Sequence, residues 1–184
     1  MEGNTQALNA LERLKKGNQS YLKAEKGGGD ISPRTRLLTS QNGQSPVAVI
    51  VSCSDSRVIP ESIFSAGIGE LFVIRVAGNV VDHFALGSIE YAVEHLHCRL
   101  VLVMGHTGCG AVGGALQEHK GYLKYIADEI RRAIGTEGDA TRASVLNVQQ
   151  SVSKIKALLP ETEGVLVTGA LYHTDSGKVD FLNE

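Results

Sequence analysis

Residues 46–57 read PVAVIVSCSDSR, an apolar run rich in valine that ends in a cysteine, an aspartate and an arginine. Residues 100–110 read LVLVMGHTGCG and repeat this arrangement, with an apolar run followed by a histidine and a second cysteine. Each run predicts a buried β-strand, and each polar cluster falls in the loop that follows its strand. The two segments therefore predict the centre of a sheet, with chemically reactive side chains at one of its edges.

Strands and helices alternate through most of the chain. The apolar runs predict strands at Pro46 to Val51, Glu70 to Val76, Arg99 to Met104, Gly164 to Tyr172 and Val179 to Leu182. Helical patterns lie between them, at Pro60 to Ala66, Phe84 to Leu96, Tyr122 to Ile134 and Thr141 to Leu159. This alternation predicts an α/β fold with a mainly parallel central β-sheet flanked by helices. The turn at residues 175–178 makes the last strand a short antiparallel edge strand at the C-terminus.

Two further helices are predicted before the sheet. The first covers residues 5–26 and ends at the glycines 27–29. A second, short helix begins at Ser32 and Pro33, because serine is a favoured N-cap and proline a favoured first helical residue. We interpret residues 1–44 as an N-terminal helical arm and residues 45–184 as the core of one domain that spans residues 1–184.

Composition and charge limit the class of protein. The chain has 184 residues, of which 42% are hydrophobic, enough for one domain with a full core. Its formal charge of -2 predicts no nucleic-acid partner and no anionic membrane surface. No apolar stretch approaches the roughly 18 residues of a membrane span, and the polar N-terminus has no signal-peptide core. Three cysteines are few for a disulfide framework and favour a reducing, cytoplasmic compartment.

Cys53, His106 and Cys109 form a candidate zinc site. The carboxyl ends of parallel strands meet at one edge of a sheet, so these three side chains are expected to surround one ion. Two cysteines and a histidine leave the fourth zinc position open, which is typical of a catalytic site. A structural zinc would need a fourth protein ligand, for which Asp55 is the nearby candidate. We favour a bidentate pair between Asp55 and Arg57 instead.

Other readings of these motifs are weaker. The glycines 108, 110 and 113 resemble a dinucleotide loop, but the acidic residues some 20 positions later, Asp128 and Glu129, lie inside a helical pattern instead of ending a strand. We interpret these glycines as tight turns around Cys109. Cys98 ends an amphipathic helix and fits a small buried hydrophobic residue. The chain has no Cys-x-x-Cys motif, which disfavours redox chemistry.

The segment from Cys53 to Arg57, together with His106-x-x-Cys109-Gly110, resembles the β-class carbonic anhydrases. The likeness continues through residues 69–79 and 87–93. It implies a zinc cofactor held by Cys53, His106 and Cys109, with hydroxide as the fourth ligand, and reversible hydration of carbon dioxide to bicarbonate and a proton. Asp55 and Arg57 match the catalytic pair of the family.

The same resemblance implies a substrate pocket and an assembly. Gln44, Phe72, Tyr91 and Gly110 match substrate-binding positions, although Phe72 and Tyr91 also fit ordinary core residues. Ile50 stands where the bicarbonate-inhibited branch carries a tryptophan, so the plant-like branch with an open zinc site is implied. In the family an N-terminal arm wraps a second subunit, and Gln44 is expected to reach into the partner's pocket. A homodimer or homotetramer with the active site at the dimer interface follows.

Two other functions remain open from the sequence. The same fold and metal could serve a hydrolase of carbon disulfide or carbonyl sulfide, which are linear analogues of carbon dioxide. A non-catalytic zinc- or bicarbonate-binding module would require that Asp55 ligate the metal permanently.

Overall fold

The computed structural model describes residues 2–23, 28–158 and 164–182. Its centre is a five-stranded sheet in the order β2-β1-β3-β4-β5. The strands are β1 Ala48–Ser52, β2 Leu71–Arg75, β3 Leu100–His106, β4 Leu166–Tyr172 and β5 Val179–Leu182. The first four pair in parallel, and β5 pairs antiparallel with β4. The α/β fold with a mainly parallel sheet and a short C-terminal edge strand is confirmed.

The helices lie before and between the strands. They are α1 Glu2–Lys23, α2 Pro33–Asn42, α3 Pro60–Ile63, α4 His83–Glu94, α5 Gly110–Gly114, α6 Leu123–Ile134 and α7 Ala140–Leu158, with a 3₁₀ turn at Ala77–Asn79. The ends predicted for the first helix, at residues 24–26, and for the last, at residue 159, lie outside the described residues. The helix predicted to reach Ala66 stops at Ile63, because Ser65 adopts a left-handed conformation with φ of 48°.

Two apolar layers cover the sheet. The side chains of β1 and β3 are buried on both faces, as expected for central parallel strands. On one face Ile50 and Leu102 pack with Leu14 of α1. On the other face Val49, Val51, Val101 and Val103 pack with Ile89 of α4 and with Val148 and Ile155 of α7. Among the described residues no helix is long and apolar enough to cross a membrane.

The two helices of the predicted N-terminal arm pack differently: α1 contributes to the core, whereas α2 does not. Helix α1 belongs to the body of the fold, since Leu14 is part of the core and Gly17 contacts α3 closely. A Cβ on Gly17 would lie 1.9 Å from the carbonyl oxygen of Phe64, so only glycine permits this approach. Helix α2 has no buried residue, and Leu37 and Leu38 on it are exposed. Its predicted N-cap is confirmed, because the Ser32 hydroxyl accepts the N–H of Thr35 at 3.2 Å.

Asn18 fastens α1 to the sheet. This buried amide donates from Nδ2 to the carbonyl oxygens of Gly177 at 2.9 Å and Ile63 at 3.3 Å. Its Oδ1 accepts the N–H of Val179 at 3.0 Å. One side chain thus joins the first helix, α3 and the hairpin between β4 and β5.

We therefore predict that Asn18→Ala lowers the free energy of unfolding by about 3 kcal/mol, since it leaves buried backbone groups without partners. Urea unfolding of the metal-loaded protein measures the change. Ser20→Ala is the matched control, because Ser20 is exposed and its hydroxyl donates to the carbonyl oxygen of Lys16 in its own helix. This change should alter stability by less than about 0.5 kcal/mol. Equal stability of the two variants would contradict the role of Asn18.

Candidate metal centre

The carboxyl ends of β1 and β3 bring three potential metal ligands together. Ser52 ends β1 and pairs with Met104 of β3, so Cys53 and His106 emerge side by side. Cys109 follows in the loop before α5 and completes the cluster. The three ligand atoms all lie within 4.8 Å of one another, and the two sulfurs are 4.0 Å apart. All three residues are buried, so the structure unites the residues that the two sequence motifs predicted.

The imidazole of His106 is oriented toward the cluster by a backbone hydrogen bond. Its Nδ1–H donates to the carbonyl oxygen of Thr107 at 3.0 Å, so Nε2 is the acceptor nitrogen of the neutral ring. Nε2 is buried and has no hydrogen-bond partner among the residues that the structure describes. An unpaired buried acceptor is unfavourable and calls for an explanation. A metal ion bound at Nε2 provides one, with the opposite ring nitrogen held in the way that metal-binding histidines usually are.

Backbone N–H groups surround the sulfur of Cys53. Its Sγ accepts from Gly78 at 3.2 Å and from Asp55 at 3.4 Å. A hydrogen bond from the Cys109 thiol, with these amides, lowers the pKa of Cys53 to about 4. The same contact and burial raise the pKa of Cys109. A cation bound between the two sulfurs would replace their thiol protons, and a Cys–His–Cys donor set fits zinc with a position left for water.

Asp55 and Arg57 form the predicted bidentate pair beside the cluster. Arg57 donates from Nε to Oδ1 at 3.0 Å and from a terminal nitrogen to Oδ2 at 2.8 Å. This guanidinium holds the pKa of the Asp55 carboxyl well below its usual range. Oδ2 also lies 3.8 Å from Nε2 of His106. A fixed, ionised carboxylate therefore stands at the edge of the metal cluster.

Two arginines hold the loop after β1. Arg57 also donates to the carbonyl oxygen of Gly108 at 3.2 Å, which ties this loop to the one that carries Cys109. Arg75, at the end of β2, donates to the carbonyl oxygens of Cys53 at 3.1 Å and Asp55 at 2.7 Å. Sequence reasoning missed this role of Arg75. The signal available was a basic residue at a strand end, which becomes informative only once β2 is known to lie beside β1.

Two of the predicted pocket residues, Gln44 and Phe72, lie away from the cluster of their own subunit. Gln44 is exposed and precedes β1, whereas Cys53 follows it, so five strand residues separate them. At about 3.3 Å per residue this is on the order of 17 Å. Phe72 pairs with Val49, three positions before the end of β2. The structure does not bring these two residues to the cluster of their own chain.

Of the other two predicted pocket residues, Tyr91 lies beside Phe72, and Gly110 lies beside Cys109. Tyr91 is 47% exposed on α4, and its ring centroid lies 6.3 Å from that of Phe72. Phe72 itself packs against the core, as the alternative reading expected. Gly110 is exposed at the start of α5, next to Cys109, and a Cβ there would meet nothing within 4 Å. Gly110 therefore borders open space beside the cluster.

Comparisons with known proteins identify the family. The sequence model described as carbonic anhydrase matches residues 48–179. The chain is 31% identical to "Carbonic anhydrase 2" of Mycobacterium tuberculosis, over 95% of this chain and 92% of that protein. The Coccomyxa β-carbonic anhydrase in complex with acetazolamide is similar in structure, with a TM-score of 0.72, 28% identity, and coverage of 82% and 78% of the two chains.

A second solved structure agrees with the first. A tetrameric β-carbonic anhydrase from Sordaria macrospora superposes with a TM-score of 0.68 and 26% identity, over 82% of this chain and 92% of its own. The family model matches more than half of the residues. The two similar solved structures are both β-carbonic anhydrases, which indicates the class within the family. The chain belongs to the carbonic anhydrase family, and within it to the β class.

Proposed function

We propose that this protein hydrates carbon dioxide reversibly to bicarbonate and a proton at a zinc ion held by Cys53, His106 and Cys109. One observation carries the proposal: a buried Cys–His–Cys cluster with an unpartnered imidazole nitrogen lies beside an ion-paired carboxylate. Membership in the carbonic anhydrase family supports the same reaction. Zinc bound there supplies a Lewis acid that activates water toward an electrophile.

Asp55 orients water in this proposal. Its carboxylate is ionised, because Arg57 binds both oxygens, so it accepts hydrogen bonds and donates none. A water molecule beside the cluster therefore points a proton at Asp55 and a lone pair away from it. The guanidinium also occupies the carboxylate that would otherwise be a fourth metal ligand. This pairing supports the plant-like, open-site branch over a permanently closed, non-catalytic site.

A second subunit completes the substrate pocket. Gln44 and Phe72 lie too far from the cluster of their own chain, so a role in substrate binding requires that they serve the cluster of a partner. The half-exposed Tyr91 beside Phe72 and the exposed leucines of α2 offer apolar surface for such a partner. Gly110 leaves room for substrate beside Cys109. The assembly is a homodimer, or a homotetramer built from it, and similar solved structures include tetramers.

The cytoplasm is the proposed location. All three cysteines are free thiols, which suits a reducing compartment.

Asp55→Ala should separate metal binding from turnover. The variant keeps all three proposed zinc ligands, so its zinc content stays at the parent level. Its turnover in stopped-flow hydration of carbon dioxide should fall about 10²-fold, the scale of a lost preorganised electrostatic contact. Asp128→Ala removes a carboxylate that is also ion-paired, with Arg131 on α6, and serves as the control with parent activity. Parent-like turnover in Asp55→Ala would remove this residue from the mechanism.

Mixed dimers test whether Gln44 serves the partner's site. Asp55→Ala chains and Gln44→Ala chains are each expected to be poorly active. A dimer with one chain of each kind contains one site in which both residues are intact, so the mixture should be more active than the average of its components.

The control mixture combines Asp55→Ala with Cys109→Ser, two changes that disable the site of their own chain. Mixing these variants should give no gain. A Gln44→Ala mixture that also gives no gain would place Gln44 outside the partner's site.

A further inference from the structure

A row of three polar side chains on α7 faces the loop that follows β2. Asn147, Ser151 and Lys154 are spaced four and three residues apart, so they share one side of the helix. Each donates a hydrogen bond to a backbone carbonyl of the loop. The acceptors, in the same order, are the oxygens of Gly78 at 2.7 Å, Asn79 at 3.4 Å and Val81 at 2.6 Å. We name these three residues the α7 polar row.

The loop that this row holds has an unusual backbone. Gly78 and Asn79 both adopt left-handed conformations, with φ of 67° and 47°. Glycine adopts this conformation freely, and asparagine adopts it more readily than most residues with a side chain. A Cβ on Gly78 would also lie 2.7 Å from Cδ1 of Ile130. Glycine is therefore strongly favoured at position 78, and its two backbone polar groups point in directions set by this turn.

Those two groups connect α7 to the metal cluster. The carbonyl oxygen of Gly78 accepts from Asn147, while its N–H donates to the sulfur of Cys53 at 3.2 Å. Asn147 is 2% exposed and Ser151 is 5% exposed, so water does not compete for their hydrogen bonds. Two hydrogen bonds through Gly78 thus connect Asn147 on α7 to the sulfur of Cys53.

We propose that the α7 polar row positions the Gly78 amide against Cys53 and so tunes how strongly this sulfur donates electrons to the metal. The inference rests on the proposed role of Cys53 as a zinc ligand. An N–H···S hydrogen bond stabilises the electron pairs of a thiolate, which leaves the bound metal a stronger Lewis acid. Two thiolates would otherwise weaken the metal's attraction for electrons. Asn147 is the principal positioning residue, because its bond is made to Gly78 itself.

A simpler reading gives the row only a packing role, in which it satisfies buried carbonyl groups. The two readings differ in what happens at the sulfur. If the row only packs, its removal changes stability and leaves the electronic state of the sulfur unchanged. If it positions the Gly78 amide, its removal also alters the bond between sulfur and metal.

Substitution of cobalt for zinc distinguishes the packing role from the positioning role. Co²⁺ replaces zinc in the parent protein, in Asn147→Ala and in Ser144→Ala, and near-ultraviolet absorption records the sulfur-to-cobalt charge-transfer band. Ser144→Ala is the matched control, since Ser144 is also buried on α7 but bonds to Ala140 of its own helix. A parent without this band would refute sulfur ligation, and with it the proposed zinc site. If the parent shows the band, sulfur ligation holds, and the band positions in the variants test only the positioning role.

The band of Asn147→Ala should shift to longer wavelength, because a sulfur that has lost a hydrogen bond gives up an electron more easily. The ratio kcat/KM for carbon dioxide hydration should fall about 10-fold, as for other changes behind a metal ligand. Asn147→Leu keeps the buried volume without a donor and should shift the band in the same direction if Asn147→Ala does not fold. A band at the position seen in Ser144→Ala would overturn the proposal, whatever the change in stability.

Discussion

The buried Nε2 of His106 is the atom whose environment the rest of the site depends on. The ring donates from Nδ1 to Thr107, which makes Nε2 the acceptor nitrogen of the neutral imidazole, and within the described part of the chain Nε2 has no hydrogen-bond partner. Two buried sulfurs lie within 4.8 Å of it. A buried group of one imidazole nitrogen and two sulfurs is unfavourable in a protein interior unless a cation binds these atoms. The parallel pairing of β1 and β3 brings the donors together, and the apolar layers on both faces of the sheet keep them buried.

Two sets of electrostatic contacts surround the cluster: one acts on the sulfur of Cys53, and the other acts on the carboxylate of Asp55. The backbone amides of Asp55 and Gly78 donate to the sulfur of Cys53 and stabilise negative charge on it. Arg57 bonds to both carboxylate oxygens of Asp55 and keeps it ionised, while Arg75 bonds to the backbone carbonyl oxygens of Cys53 and Asp55. The carboxylate bonds to Arg57 and lies 3.8 Å from Nε2 of His106, where it could accept a hydrogen bond from a water molecule in the proposed reaction. The proposal of an open site that activates water depends on this pairing.

The sequence was sufficient for local features. Apolar runs identified the strands, Ser32 and Pro33 identified the start of α2, and position at the carboxyl ends of strands identified Cys53, His106 and Cys109, although His106 is the last residue of β3 and does not lie in the loop. Contacts between distant segments were not predictable, because they depend on strand order and helix placement. Arg75 acquires its role only because β2 lies beside β1, and Asn147 because α7 lies over the loop after β2. Asn18 is similar: nothing local predicts that a polar residue of the first helix will be buried against Gly177, 159 positions away.

Zinc content per chain tests the central claim most directly. Cys109→Ser removes a sulfur of the cluster, whereas Cys98→Ser changes a buried cysteine whose thiol donates to the carbonyl oxygen of Pro46, at the opposite end of the strands. Metal analysis of the purified proteins should find about one zinc ion per chain in the parent and in Cys98→Ser, as expected for a single three-donor site, and almost none in Cys109→Ser. Full zinc content in Cys109→Ser, or a parent protein that binds no zinc, would contradict the account.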